Sequence, residues 1–244
     1  MTTTRIMTYN IQRWRGADGE FNPARVLNVI ADCAPDIVAL QETIAVAQAD
    51  PLPHLAEHLG MTVYRDLAGT PAAFLSHLPL RGVQAVDLGF GGYCLRADVD
   101  LGGKRLHLLN LCLQSAARSR IYQVSRLLGP ELLDNPSLVC PALVLGDFAD
   151  FFWSAGNFEL NSALRPALRP MWRATYPARC PLFDRDRAYL RGAVRVLDGM
   201  INRSYLARQA SRHLPLTLTV QVTDTRRSLP FAELRAGRME TAPG

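Results

Sequence analysis

The amino-acid sequence predicts one mixed α/β domain built around two packed sheets. Three observations point there. Strand-period and helix-period segments intermingle along the chain. Apolar runs broken by glycine or proline between residues 61 and 113 read as successive strands and hairpins. No linker, repeat or low-complexity block divides the 244 residues, so a single domain is expected, with its core over about 4–222 and a frayed tail at 235–244.

In chain order, "RIMTYNIQRW" opens as a strand from Arg5. Asn22-Pro23 starts a helix whose Val26, Val29, Ile30 and Cys33 recur at helical spacing. Pro35 closes it, and "DIVALQET" reads as a buried strand. "LPHLAEHLG" is a short helix ended by Gly60. Four strand-like pieces follow, "MTVYRDL", "AAFLSHLPL", "GYCLRADVDL" and "KRLHLLNLCL", with Gly102-Gly103 marking a hairpin between the last two. "SAARSRIYQVSRLLGPELL" reads as a helix with Ile121, Val124, Leu127 and Leu128 on one face. "PALVLGDF", "VRVLDGMINRSYL" and "LPLTLTVQV" supply the later strands.

Composition narrows the function classes. A hydrophobic content of 48% supports a sizeable buried core. No apolar run approaches the ~20 residues of a membrane span, and "MTTTRIMTYNIQ" has no secretory signature, so the cytoplasm is the expected location. Cys33, Cys94, Cys112, Cys140 and Cys180 are scattered without a metal or disulfide spacing. The formal charge is +5 with Lys104 the only lysine. Without a dense basic run, scattered solvated arginines are favoured over a nucleic-acid surface.

Polar residues recur at strand ends. Asn10 follows the first strand, Glu42 ends "DIVALQE", Asp147 ends "PALVLGD", and His213 stands before the last strand. Carboxylates converging at one rim of packed sheets can hold a hard cation through oxygen, and such a cation polarises a phosphoryl oxygen.

These segments resemble the endonuclease/exonuclease/phosphatase superfamily, which contains deoxyribonuclease-I-like nucleases, sphingomyelinases and inositol-polyphosphate phosphatases; the chain looks most like its small bacterial members. The resemblance spans roughly residues 4–220 with the motifs in family order. It implies a four-layer α/β/β/α sandwich of two mixed, largely antiparallel sheets. By resemblance, "TYNIQ" gives Asn10 as a site asparagine and "PDIVALQE" gives Glu42 as the metal glutamate. "LVLGDF" gives Asp147 as the residue orienting the attacking water. "FDRDRAYLRG" gives Asp186 as the support of the catalytic histidine, and "ASRHLPL" gives His213 as that histidine.

Three positions depart from the family pattern. Cys112 replaces a histidine, Ala149 replaces the asparagine after Gly-Asp-Phe, and Arg212 replaces the metal-site aspartate. A lost anion donor of the Ala149 kind costs ~10²–10³ in rate. A permanent cation for a carboxylate changes the local charge by two units. Two readings of Arg212 are open: the guanidinium turns inward and pairs with Glu42 and Asp147 in place of the ion, which is favoured, or it bends out to solvent. The expectation is therefore weak or lost metal-dependent phosphoester hydrolysis, with no cofactor. The cleft is then kept for a small anionic or aromatic ligand, or for metal-free acid/base chemistry by Asp186 and His213. The alternative is an active phosphodiesterase or phosphatase on a nucleic-acid, lipid or small phosphoester, with Mg²⁺ or Mn²⁺ at Glu42.

The remaining signals have mostly bland readings. Cys112 with His213 and Asp186 spells a nucleophilic triad, but packing is favoured. His54 and His58, four apart on a helix, read as a solvated face rather than a metal pair. Phe148, Phe151, Phe152 and Trp153 line a cleft mouth or pack a loop.

Overall fold

A computed structural model describes residues 3–45, 49–136, 138–150, 155–168, 170 and 172–226. The elements run β1 (Thr4–Asn10), α1 (Pro23–Cys33), β2 (Ile37–Gln41), α2 (Leu52–Leu59), β3 (Thr62–Tyr64), β4 (Ala72–Ser76), β5 (Leu80–Gly89) and β6 (Gly92–Asp100). They continue β7 (Arg105–Cys112), α3 (Ala117–Leu128), β8 (Ala142–Asp147), α4 (Ala155–Ala163), β9 (Arg165–Pro166), β10 (Asp186–Arg191), β11 (Val194–Ile201), α5 (Tyr205–Ala210) and β12 (Leu216–Val222). The expected tail at 235–244, and Phe151, Phe152 and Trp153, lie outside the described residues.

Two six-stranded sheets form, ordered β11-β12-β1-β2-β4-β3 and β5-β6-β7-β8-β10-β9. Each has one parallel pair at its centre, β1 with β2 and β7 with β8, and antiparallel neighbours elsewhere. Both parallel pairs are joined by a helical crossover, α1 and α3, as a parallel connection requires. α1 starts where the sequence says it should. Asn22 accepts a hydrogen bond from the Arg25 amide and Pro23 takes the first position, where its missing N–H costs nothing.

The central strands of the second sheet are buried on both faces, which explains their near-continuous apolar runs. On β7, Leu106 and Leu108 face the inter-sheet core while Leu109 and Leu111 join the layer beneath α3. On β8, Leu143 and Leu145 face the first and Val144 the second. That two-residue alternation is the strand period. The result is an α/β/β/α sandwich. A polar bridge crosses its interior: Gln41 Nε2 donates to Asn110 Oδ1 at 2.6 Å, and Asn110 Nδ2 donates to the Leu40 and Ala73 carbonyls.

Two local expectations need correction. Ile121 does not join the buried stripe of α3 and is 39% exposed; Leu128 packs partly buried beside Val124 and Leu127, and Arg120 and Gln123 are buried with them. The polar pair turns inward because both have work there. Gln123 bonds Gly89 O and the Gln114 amide, and Arg120 bonds Ser115 O. The late strand "VRVLDGMINRSYL" stops at Ile201, and Tyr205–Ala210 is helix α5 instead. Ser204 starts it by accepting from the Ala207 amide, a cap signal present in the sequence.

Candidate active-site cleft

The polar strand ends meet at one rim of the sandwich. Strand register sets most of the row. Tyr93 pairs with Cys112, Cys112 with Asp147, and Asp147 with Asp186 across β6, β7, β8 and β10. From the other sheet, Asn10 lies opposite Gln41, one residue before Glu42. Gly146 makes the approach possible: a Cβ there would lie 1.9 Å from the Leu111 carbonyl oxygen, and its φ is +146°.

Backbone strain concentrates at the same rim. Gln12, Arg13 and Trp14 all have positive φ (47°, 55° and 66°), and Glu42 and Ala149 do too (54° and 50°). Such conformations cost of order 1–3 kcal/mol each and persist only where packing over-determines them. Here buried Trp14 is the anchor, its Nε1 donating to Thr43 O at 2.7 Å. The turn carries the Arg13 amide onto Glu42 O at 2.9 Å.

Asn10 ties the two acids together. Its Nδ2 donates to Glu42 Oε1 at 2.9 Å and to Asp147 Oδ2 at 3.0 Å, while its Oδ1 accepts from the Gln12 amide. Asp147 is buried and surrounded by donors. Oδ1 accepts from the Ala149 amide (2.8 Å) and Arg185 Nε (3.1 Å), and Oδ2 accepts from Asn10 and an Arg185 terminal nitrogen (2.9 Å). His213 Nε2 lies 3.8 Å from the same Oδ2. Burial pushes the Asp147 carboxyl up, His213 and Arg185 pull it down, Asp186 adds to the rise, and the balance lies above the ordinary carboxylate range.

Here the favoured reading of Arg212 is corrected. Arg212 is exposed, and its guanidinium makes no hydrogen bond or ion pair among the described residues. Its backbone carbonyl is what the structure uses, accepting from the Ala178 amide at 2.6 Å. The cation on Asp147 belongs to Arg185, one residue before β10, with its side chain 13% exposed. Arg185 also lies 4.7 Å over the Tyr176 ring, a cation–π contact that holds the fork in place.

His213 and Asp186 form a close pair, Nδ1 lying 2.9 Å from Oδ2. The loop before β12 positions it: Ser211 Oγ donates to Asn10 O and accepts from the His213 amide. The Tyr176 ring packs against the imidazole at 4.8 Å. Burial alone would lower the imidazole pKa, but Asp186 and Asp147 outweigh it, so the histidine titrates above its ordinary 6.5. A histidine raised on folding contributes stability that is complete below pH 6.5 and fades as pH rises through the folded value. Urea unfolding from pH 5.5 to 9 is expected to show that fall, and His213→Gln should flatten it.

Cys112 is 6% exposed. Burial, then Asp147, then Glu42 push its thiol well above the ordinary range. A protonated thiol beside two acids is the opposite of an activated nucleophile, so the triad reading is set aside. Phe148 is buried against Tyr189 at 5.1 Å rather than lining a mouth. His54 and His58 lie 4.0 Å apart between ring centroids on exposed positions of α2, and no third ligand joins them among the described residues. His77 bonds Gly60 O, and His107 is buried.

Two triplets bring one potential ligand atom each within 4.8 Å: Glu42, Cys112 and Asp147, and Asp147, Asp186 and His213. Neither fits a hard divalent ion. Mg²⁺ requires several free oxygens, whereas Asp147 has spent its lone pairs on donors, Cys112 is a protonated soft group, and His213 is held by Asp186. Glu42 accepts from Asn10 through Oε1, and Arg13 Nε stands 3.9 Å from its Oε2.

Two mixed six-stranded sheets packed in an α/β/β/α sandwich define the deoxyribonuclease-I-like fold. The family model described as "Endonuclease/Exonuclease/phosphatase family" matches residues 7–213, and the chain belongs to that family. No curated protein matches it. Among solved structures it is similar to a humanized D. rerio TDP2 (16% identity, 91% of this chain and 100% of the other, TM-score 0.70). It is also similar to an endonuclease/exonuclease/phosphatase from Beutenbergia cavernae (20%, 91% and 72%, TM-score 0.68). A D. rerio TDP2 complexed with single-strand DNA product aligns at 16% identity over 91% of this chain and 100% of the other, TM-score 0.69.

Proposed function

We propose that this family member has lost metal-dependent phosphoester hydrolysis, or retains it only at very low rate, and keeps the cleft as a metal-free site for a small anionic ligand. One observation carries the reading: the Asp147 carboxylate is fully occupied by Asn10, Ala149 and both arms of the Arg185 fork. A carboxylate so engaged neither ligates an ion nor takes a proton from water. The internal cation does the neutralising that a divalent ion would otherwise do. Exposed Arg212, exposed Arg13 and the raised His213 leave donors for an anion at the rim.

The second reading, a slow Mg²⁺ phosphodiesterase, is favoured by the intact Asp186–His213 pair. A related D. rerio protein is complexed with single-strand DNA product, so a DNA phosphodiester is one substrate class for that reading. Mn²⁺ titration followed by electron paramagnetic resonance, with bis(4-nitrophenyl) phosphate turnover in parallel, separates the two. The expected result is no ion held at millimolar Mn²⁺ and no turnover above background, with inorganic phosphate binding unaffected by chelator. Mn²⁺ bound below 1 mM (roughly −4 kcal/mol) and lost in Glu42→Gln would sink the proposal.

A further inference from the structure

Two turns at the rim carry bare apolar tips, and strand direction puts both there. β2 runs into the rim, and antiparallel β4 starts beside its end with Ala72 level with Gln41, so the β3–β4 loop closes at the cleft. β6 starts at the same end, Tyr93 level with Cys112, and brings the β5–β6 turn with it. Tyr93 Oη donates to Pro71 O at 3.0 Å, tying the bases of the two turns. Leu67 on the first is fully exposed, and Phe90 on the second is 67% exposed. Tyr122 of α3 and Ile44, two residues beyond Glu42, add exposed apolar side chains at this end.

Both tips are held out by their own frames. Asp66 accepts from the Ala68 and Thr70 amides and from the Thr70 hydroxyl, closing the loop under Leu67. Gly89, Phe90 and Gly91 all have positive φ (84°, 53° and 82°), a region phenylalanine rarely enters. Gln123 Nε2 donates to Gly89 O at 2.7 Å, Gln114 Nε2 donates to Gly91 O at 3.1 Å, and Asp87 accepts from the Gly89 amide at 2.8 Å. The Phe90 and Tyr122 rings meet edge to face with centroids 5.3 Å apart.

The other flank of the cleft is cationic. Arg13 and Arg212 are exposed beside Glu42 and His213, and the bond from the Ala178 amide to Arg212 O brings exposed Arg179 to the same edge. Apolar tips on one flank and arginines on the other select the occupant. A protein partner needs a continuous complementary surface, whereas these side chains stand on separate turns. A nucleic-acid base stacks on aromatic faces, and aliphatic Leu67, the most exposed of the set, offers none. A lipid surface moulds around isolated tips and supplies anionic headgroups to the arginines.

We propose that the cleft end of this protein docks on anionic membranes. Leu67 and Phe90 enter the boundary between headgroups and acyl chains, and Arg13, Arg179 and Arg212 meet the headgroup anions. The attachment is peripheral, made by loop tips. It stands whether or not the cleft holds a metal ion.

Co-sedimentation with phosphatidylcholine vesicles, with and without about 30% phosphatidylserine, tests this in the presence of chelator. The full chain is expected to pellet with the mixed vesicles and far less with phosphatidylcholine alone. Leu67→Ser with Phe90→Ser should lower the partition coefficient at least about tenfold. Arg179→Gln with Arg212→Gln should lower it about fivefold per charge. No binding by the parent, or binding unmoved by the tip pair, overturns the proposal. Insertion is read separately in Leu67→Trp, as emission in excess of the parent's. That emission should shift to the blue on mixed vesicles and be quenched by lipids brominated on the acyl chain; unquenched emission overturns insertion whatever the other variants do. A parent dimer dispersed by the tip pair, or single-stranded oligonucleotide binding lost in Phe90→Ser, each without vesicle binding, would give the face to a second copy or to nucleic acid instead.

Discussion

Arg185→Met is expected to cost about 3–5 kcal/mol at pH 7, the range for breaking one side of a buried ion pair. Asp147 is 1% exposed in its side chain and would keep only Asn10, the Ala149 amide and distant His213. Methionine fills the volume but leaves a carboxylate without its fork. The loss should depend on pH in a set direction. Asp147 already titrates above 3.8 in the folded chain, so its contribution to stability is best below pH 3.8 and declines as pH rises through the folded value. Without Arg185 that folded value climbs further. The deficit against the parent should therefore be largest near pH 7.5 and shrink towards pH 4.5. Urea unfolding of both proteins at the two pH values measures it. Added Mn²⁺ should restore stability in the variant and leave the parent unchanged. Equal stability of the two proteins at pH 7.5 would show that Arg185 is not the counter-ion.

Much of this site was legible because strand ends are legible. Asn10, Glu42 and Asp147 each close an apolar run, and a strand that ends in the cleft must end with the residue that faces it. The neutralising cation was not. "FDRDRAYLRG" holds arginines at 185, 187 and 191, and no periodicity says which one reaches Asp147. That choice is made by register: Asp186 pairs with Asp147, so the residue just outside the strand swings over the same carboxylate. Arg212 drew attention because it occupies a motif position, yet its chain segment is held by its carbonyl and by Ser211, not by its side chain. Position 212 changed charge while position 185 took the pairing.

Rebuilding the family donors should separate charge from geometry. Ala149 keeps φ +50°, a left-handed conformation that asparagine tolerates and alanine resists by about 1–2 kcal/mol, so Ala149→Asn alone is expected to stabilise the fold slightly. Cys112→His inserts volume beside Tyr93 at a buried position, with an overpacking cost of about 1–3 kcal/mol. Those two changes plus Arg212→Asp put back the three side chains that the family resemblance implies but leave the Arg185 fork on Asp147. This triple variant is expected to hold no Mn²⁺ and to hydrolyse no bis(4-nitrophenyl) phosphate. Adding Arg185→Met frees two oxygens beside Glu42, and the quadruple variant should bind Mn²⁺ and exceed the triple by at least about 10²-fold in turnover, the scale of a restored anion donor. The order of gain is the decisive feature. If the triple variant already turns over, then the ion displaces Arg185 unaided, and the guanidinium is a tenant of the site rather than the reason it is closed to metal.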